Sequence, residues 1–195
     1  MNPVSHFLVS WSLAESSNQD SRDKAIITWL GVAPDLDGLG GVVDIVAKFF
    51  GYQDPELYGH FHHELFHGLF AAILFPSIAM VFARNRLKSF LLGVLVIHLH
   101  LFCDLIGSRG VNMEDIWPIN YLAPFSDALT LSWSGQWQIN AWPNVTITII
   151  LIIFMFSRTI THGHSIVSLF NQQAHIVFVQ TVQTRWKKIR GQTKN

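Results

Sequence analysis

Histidine and carboxylate side chains recur at positions where the chain is otherwise strongly apolar. The set comprises His6, Asp35, Asp37, His60, His62, His63, Glu64, His67, His100 and Asp104. Imidazole nitrogen combined with carboxylate oxygen, without cysteine sulfur, is a ligand set typical of a catalytic zinc ion or another borderline divalent metal. These residue types therefore predict a divalent-metal site, with Zn²⁺ as the first choice and room for one or two ions.

The spacing of these residues adds detail to the prediction. His100 and Asp104 are four residues apart, so a helix would place them on one face. Asp104 is the carboxylate able to bridge two ions lying ~3.5–4 Å apart.

Residues 60–67 allow two interpretations. A helix through this stretch would present His60, His63, Glu64 and His67 on one face. A helix that begins near Glu64 would instead leave His62 in the preceding loop, free to turn inward.

Composition limits the class of protein that carries this set. The chain has 195 residues, of which 50% are apolar and 13% charged, about half the charged share usual in soluble domains. Such an apolar chain can bury enough surface to offset the conformational entropy lost on folding, which excludes intrinsic disorder. Its single cysteine excludes a fold held together by disulfides. A net charge of zero excludes electrostatic binding of nucleic acid by the whole molecule, so no nucleic-acid partner is expected.

Two apolar segments have lengths close to the ~20 residues that a helix needs to span a bilayer. They are residues 65–83 and 89–106, with 19 and 18 residues. The connection at 84–88 is so short that the two segments should form an antiparallel hairpin. Residues 142–156, which end shortly before Arg158, are a shorter third candidate.

The N-terminal part repeats this pattern at smaller scale. Residues 5–14 and 25–33 are apolar and flank a polar turn at 15–24. The chain is therefore predicted to be all-α, an integral-membrane bundle built from antiparallel helical hairpins. Residues 1–158 would form the membrane-embedded domain, and residues 159–195 a basic, partly amphipathic C-terminal tail.

The two hairpins would bring the scattered ligands together. His6 begins the first short helix and Asp35 and Asp37 follow the second, both away from the turn at 15–24. His67 belongs to the start of the first long segment and Asp104 to the end of the second, both away from residues 84–88. The metal site is therefore expected at one end of the bundle.

Charge placement predicts an orientation for this bundle. If both turns and the tail share one side of the membrane, that side carries 11 of the 13 basic residues, and the other side carries 10 of the 13 acidic ones. The positive-inside rule then makes the basic side cytoplasmic. The metal site would lie on the non-cytoplasmic face and the tail in the cytoplasm.

An ordered set of short motifs spans residues 6–118. It consists of His6, Pro34-Asp35-Leu36-Asp37, His62 with His67, His100 with Asp104, Gly110, and Trp117-Pro118. In this order the motifs resemble the LexA-regulated inner-membrane family of metal-dependent hydrolases, the YdjM type. The chain departs from the family pattern at Gly38, where a histidine is common, and around His62–His67, where Arg, Thr and Ser are missing.

This resemblance implies a multi-pass protein of the inner (plasma) membrane that uses the matched histidines and aspartates as metal ligands. A remoter likeness joins the chain to the secreted zinc-dependent phospholipases C. By that analogy one zinc would be held by Asp35 or Asp37, His62 or His67, His100 and Asp104, and a second by His6 and Asp104.

The function expected from these observations is metal-assisted hydrolysis of a phosphoester or ester. Glu64 or Asp37 would accept a proton from the attacking water, and Arg109 would hold a phosphate group. A site at the membrane surface favours a small-molecule or lipid-linked substrate, with membrane lipid as the partner. The alternative is a non-catalytic metal-binding or structural multi-pass membrane protein.

Overall fold

The protein is built mainly from α-helices, as the sequence predicts. The computed structural model describes residues 1–52, 56–58, 62 and 65–191. Within these residues the α-helices are α1 (Pro3–Ser16), α2 (Ser21–Leu30), α3 (Gly40–Phe49), α4 (Leu69–Ala79), α5 (Arg86–Gly107), α6 (Trp142–His162) and α7 (Gln172–Ile189). Short 3-10 helices cover Pro34–Leu39 and Ile166–Leu169, and strands β1 (Ile119–Asn120) and β2 (Thr130–Leu131) pair antiparallel.

Two helices in the described part of the chain are long and apolar enough to cross a membrane. They are α5 with 22 residues and α6 with 21. Helix α2 and the segment Pro34–Phe49 pass the same test together although a bend of 55° separates them, so their length and composition are compatible with a broken span or a re-entrant loop. The predicted segments at residues 89–106 and 142–156 therefore lie in helices long and apolar enough to span a membrane, and α6 continues through Arg158 to His162.

The prediction of one long helix over residues 65–83 is wrong. Helix α4 has only 11 residues, which is about 16 Å of helix against a hydrocarbon thickness of about 30 Å. Its start is fixed because Gly68 is extended and the backbone N–H of Leu69 donates to the carbonyl of Tyr121 at 2.8 Å. His67 therefore precedes the helix instead of lying in it.

The two polar turns of the predicted hairpins meet at the same end of the bundle. The Asp23 carboxylate, which is buried, accepts hydrogen bonds from the backbone N–H groups of Arg84 and Asn85, both at 2.8 Å. Lys88 also donates to the carbonyl of Ser17 at 2.6 Å. These contacts join the α1–α2 turn to the start of α5, so the opposite helix ends point toward one another as predicted.

The apolar core lies among α1, α2, α4 and α5. Its buried centre consists of Ala14, Ile27, Leu30 and Val96. Gly93 allows α5 to approach closely, because a Cβ there would lie 2.7 Å from a Leu30 methyl carbon and 3.0 Å from Pro76. Close helix packing through small residues is a common feature of membrane bundles.

The chain divides into two compact units, Met1–Val145 and Thr146–Asn195. In the second unit, the side chain of Gln183 in α7 donates to the carbonyls of Thr159 and Ile160 in α6, at 3.3 and 3.2 Å. The division at residues 158 and 159, which the sequence predicts, stays a prediction.

Replacing Asp23 by Ala should lower the free energy of unfolding by about 2 kcal/mol, because two backbone N–H groups would lose the buried, charged acceptor that they share. Thermal unfolding in detergent measures the effect. Arg84→Ala is the control, since its ion pair with Asp20 is 71% exposed on the arginine side and should contribute less than about 0.5 kcal/mol. Equal stability of Asp23→Ala and the parent protein would contradict the account of this turn.

Candidate metal centre

The predicted ligands come from four parts of the first unit and converge. His6 lies in α1, Asp35 and Asp37 in the 3-10 helix after α2, and His67 just before α4. The last two turns of α5 contribute His100 and Asp104. All of these residues are buried except Asp35, which is partly exposed.

Four side-chain atoms form the centre of the cluster. They are the Nε2 atoms of His67 and His100, one oxygen of Asp35 and one oxygen of Asp104. The two Nε2 atoms are 3.2 Å apart. Asp104 Oδ2 lies 3.1 Å from His100 Nε2 and 3.6 Å from His67 Nε2, and Asp35 Oδ1 lies 3.7 and 4.0 Å from the same two atoms.

Hydrogen bonds at the other ring nitrogens determine where the imidazole protons lie. His100 Nδ1 is 2.8 Å from the carbonyl oxygen of Gly31, and His67 Nδ1 is 2.9 Å from a carboxylate oxygen of Asp37. Both partners are acceptors, so both Nδ1 atoms carry the proton in a neutral ring. In neutral rings the two Nε2 lone pairs then face each other and two carboxylates, an arrangement that a metal ion between them, or a proton on one ring, would relieve.

The arrangement fits a divalent metal. Ligands at about 2.0–2.1 Å from a tetrahedral zinc lie about 3.3 Å from one another, and the distances given above bracket this value. Each histidine also donates its remaining N–H to a carbonyl or a carboxylate, which is the usual support for a metal-bound imidazole. Among the described residues, Asp35 Oδ2 and His6 Nδ1 are buried and have no hydrogen-bond partner.

Asp104 also faces a second group of polar atoms. Its Oδ1 atom lies 3.1 Å from His6 Nε2 and accepts a hydrogen bond from Ser108 at 2.7 Å. The α-amino group of Met1 makes a short ion pair with the same oxygen. His6, His100 and Asp104 form a second set of ligands able to hold an ion, so Asp104 is the carboxylate common to both groups.

Asp37 contacts two of the histidines at their Nδ1 atoms. One oxygen lies 2.8 Å from His62 Nδ1, and the other lies 2.9 Å from His67 Nδ1 and accepts from the backbone N–H of Phe66 at 3.1 Å. His62 lies before α4 and turns inward, as one of the two interpretations of residues 60–67 predicts, although α4 begins at Leu69 and not near Glu64. Asp37, His62 and His67 are a third possible ligand group.

A cavity of about 250 Å³ opens onto the cluster and is lined by both polar and apolar side chains. Its lining includes Asp35, Asp104, Tyr58, Trp117, Leu39 and Ile139. The rings of Tyr58 and Trp117 lie 4.4 and 5.6 Å from the His62 ring. Burial raises the pKa of the Tyr58 phenol, and the nearby aspartates raise it further, so Tyr58 is a neutral hydrogen-bond donor in the cavity wall.

The remaining predicted site residues have different outcomes. Glu64, His60 and His63 lie outside the described residues, and the proposed role of Glu64 as a base stays a prediction. Arg109 lies in the loop after α5, where its guanidinium donates to the sulfur of Met113. Among the described residues no hydrogen bond joins the Arg109 side chain to the cluster, so its phosphate-binding role also stays a prediction.

Several residues that support the cluster were not identified from the sequence. The side-chain amide nitrogen of buried Gln136 donates to the carbonyl oxygens of Asp104 and Leu105, both at 3.1 Å. Asn144 donates to the carbonyl of Gly107 at 2.9 Å. Gln136 holds the long loop after α5, and Asn144 holds the first turn of α6, against the end of α5. No local sequence signal marks these contacts with the end of α5, because the carbonyls of Asp104, Leu105 and Gly107 lie more than 30 residues away along the chain.

The comparisons with known proteins identify a family. The family model for the YdjM inner membrane protein matches residues 1–186, which is nearly the whole chain. No curated protein and no solved structure matches the chain. The remoter likeness to zinc-dependent phospholipases C is therefore unsupported.

Gly31→Ala should lower the midpoint of thermal unfolding, because its Cβ would lie 1.6 Å from Ser10 Oγ and 2.4 Å from Ser10 Cβ. Overpacking of this kind costs ~1–3 kcal/mol. Removing both clashing atoms with Ser10→Gly in the same chain should recover most of the loss, and Ser10→Gly alone is the matched control. If Gly31→Ala were as stable as the parent protein, the close approach that positions the Gly31 carbonyl would be wrong.

Proposed function

The chain belongs to the YdjM inner membrane protein family, and from this premise and the cluster geometry we propose that it is a membrane-bound, metal-dependent hydrolase. The proposed ligands of the main ion are His67, His100, Asp35 and Asp104. His6 and Asp104 would contribute to a second ion if one binds. Zinc is the proposed metal, because the ligands are nitrogen and oxygen atoms in a set typical of catalytic zinc.

The observation that supports this proposal best is the pair of facing Nε2 atoms 3.2 Å apart. Their Nδ1 atoms are engaged by Gly31 and Asp37. A buried pair of imidazole acceptors beside two carboxylates is costly unless a cation is present, since buried polar groups need partners and buried charges need compensation.

The proposed reaction is attack of water on a phosphoester or ester. When bound, a divalent metal would lower the pKa of a water ligand towards ~7 and would polarise the phosphoryl or acyl oxygen of the substrate. Asp37 holds the His67 imidazole in the correct orientation, and Glu64 is the proposed proton acceptor. Tyr58, as a neutral phenol in the cavity wall, can donate a hydrogen bond to an oxygen of the substrate.

We place the cluster on the non-cytoplasmic side of the membrane. Within the first unit, the end of the bundle away from the cluster carries Arg22, Lys24, Arg84, Arg86 and Lys88. The positive-inside rule favours this end in the cytoplasm. A cavity at the other end, close to the membrane surface, favours a small or lipid-linked substrate.

Replacing Asp35 by Asn tests the metal centre directly. The carboxylate of Asp35 makes no hydrogen bond with the described residues and lies beside other negative and electron-rich groups. Without metal, Asp35→Asn should therefore be as stable as the parent protein or more stable. Its zinc content and its hydrolysis of p-nitrophenyl phosphate or p-nitrophenyl acetate should both fall.

Mass spectrometry of the metals in purified protein, together with thermal unfolding with and without zinc, measures these effects. Glu114→Gln, an exposed carboxylate outside the cluster, is the control. Full zinc content in Asp35→Asn would contradict the ligand assignment. A metal-bound parent protein that hydrolyses neither an ester nor a phosphoester would favour the non-catalytic alternative.

Asp37→Asn should weaken zinc binding by about 10–100-fold without abolishing it, because the carboxylate orients His67 and His62 instead of binding the main ion. Competition with a chelator of known affinity measures the change. Asp44→Asn is a matched control, since Asp44 also accepts two hydrogen bonds, from the backbone N–H groups of Leu57 and Tyr58, but lies outside the cluster. Unchanged zinc affinity in Asp37→Asn would refute the orienting role.

A further inference from the structure

Helix α3 has its polar and apolar faces reversed relative to a helix of a soluble protein. Leu39, Val42, Val43 and Val46 recur at spacings of three and four residues, which defines one apolar face. Asp44 and Lys48, four residues apart, lie on the opposite side. None of the ten residues of α3 is buried within the described structure.

The face that contacts the rest of the protein is the polar and small one. Asp44 accepts hydrogen bonds from the backbone N–H groups of Leu57 and Tyr58 at 2.9 and 2.7 Å. Gly40 and Gly41 lie against the same two residues, since a Cβ on either glycine would be 3.0 Å from them. Helix α3 is therefore attached to the protein through its polar side.

The apolar face points outward and is continuous with the rim of the cavity. Leu39 lines the cavity and is 57% exposed. Beyond it the exposed side chains are Val42, Val43, Val46, Phe49 and Phe50, and Phe49 is 83% exposed. A hydrophobic surface of this extent on the outside of a protein marks a contact with another apolar phase.

We propose that the apolar face of α3 lies in the surface of the lipid bilayer, parallel to the membrane plane, and that the cavity opens beside it at the level of the lipid headgroups. The occupant of the face is bilayer phospholipid, with its acyl chains against the valines and phenylalanines. An amphipathic helix in this position buries its apolar face about 5–10 Å into the boundary between headgroups and chains.

Three observations favour lipid over a protein partner. Helix α3 follows α2, and the two form a bent, membrane-compatible pair within an inner membrane protein. The 55° bend turns α3 away from the direction of α2, as expected for a helix that leaves the bundle to follow the surface. The outward face from Leu39 to Phe50 carries aliphatic and aromatic side chains without the arginine or polar rim typical of protein interfaces.

The position of α3 can be measured with an environment-sensitive fluorophore on single cysteines. Cys103→Ala removes the only native thiol, and the labelled positions are Leu39→Cys, Val43→Cys and Val46→Cys. Lys48→Cys on the opposite face is the control. The protein is reconstituted in phosphatidylcholine–phosphatidylglycerol vesicles that contain nitroxide lipids labelled near the headgroup or near the chain terminus, and aqueous iodide serves as the polar quencher.

Labels at positions 39, 43 and 46 should be quenched several-fold more by the headgroup-proximal nitroxide than by the deep one, and only weakly by iodide. The label at position 48 should be the most sensitive to iodide. Strong iodide quenching at position 46 would show an aqueous face and overturn the proposal. So would protection from every quencher, which would mean a protein partner, or preferential deep quenching, which would mean insertion across the membrane.

This experiment does not depend on hydrolysis or on bound metal. A negative result would therefore leave the proposed activity standing, and an inactive protein would leave the proposed position of α3 standing.

Discussion

Two imidazole lone pairs and two carboxylates face one another inside a bundle of apolar helices, and this electrostatic constraint governs the first unit. The Nε2 atoms of His67 and His100 lie 3.2 Å apart, and Asp104 lies within 3.6 Å of both. Burial removes the water that would otherwise solvate these groups. In our account a divalent cation supplies positive charge between the two Nε2 atoms, and the surrounding hydrogen bonds hold the ligands ready for it.

Three helices begin or end beside the ligand cluster. Helix α2 ends before Asp35, α4 begins after His67, and α5 ends just beyond Asp104. Backbone and side-chain acceptors freed at these breaks then orient the ligands, as the Gly31 carbonyl does for His100 and the Asp37 carboxylate does for His67. The shortness of α4 follows from the same requirement, because a continuous helix through position 67 would lose the extended Gly68 that precedes it.

Much of the convergence could be predicted from the sequence, because two hairpins with short polar turns leave little freedom for where their other ends lie. His6, Asp35, His67, His100 and Asp104 meet for this reason. The start of α4 could not be predicted from hydropathy, since it depends on a hydrogen bond between Leu69 and Tyr121 in a distant loop. Gln136 and Asn144 were missed for the same reason, and the outward apolar face of α3 becomes apparent only when Asp44 is seen to bind the chain at Leu57 and Tyr58.

X-ray absorption spectroscopy of the purified, zinc-loaded protein tests the central claim most directly. The account predicts a first shell of nitrogen and oxygen atoms only, at about 2.0–2.2 Å, with the outer-shell scattering of about two imidazole rings. A sulfur ligand from Cys103, a shell of water without imidazole, or the absence of tightly bound metal would contradict it.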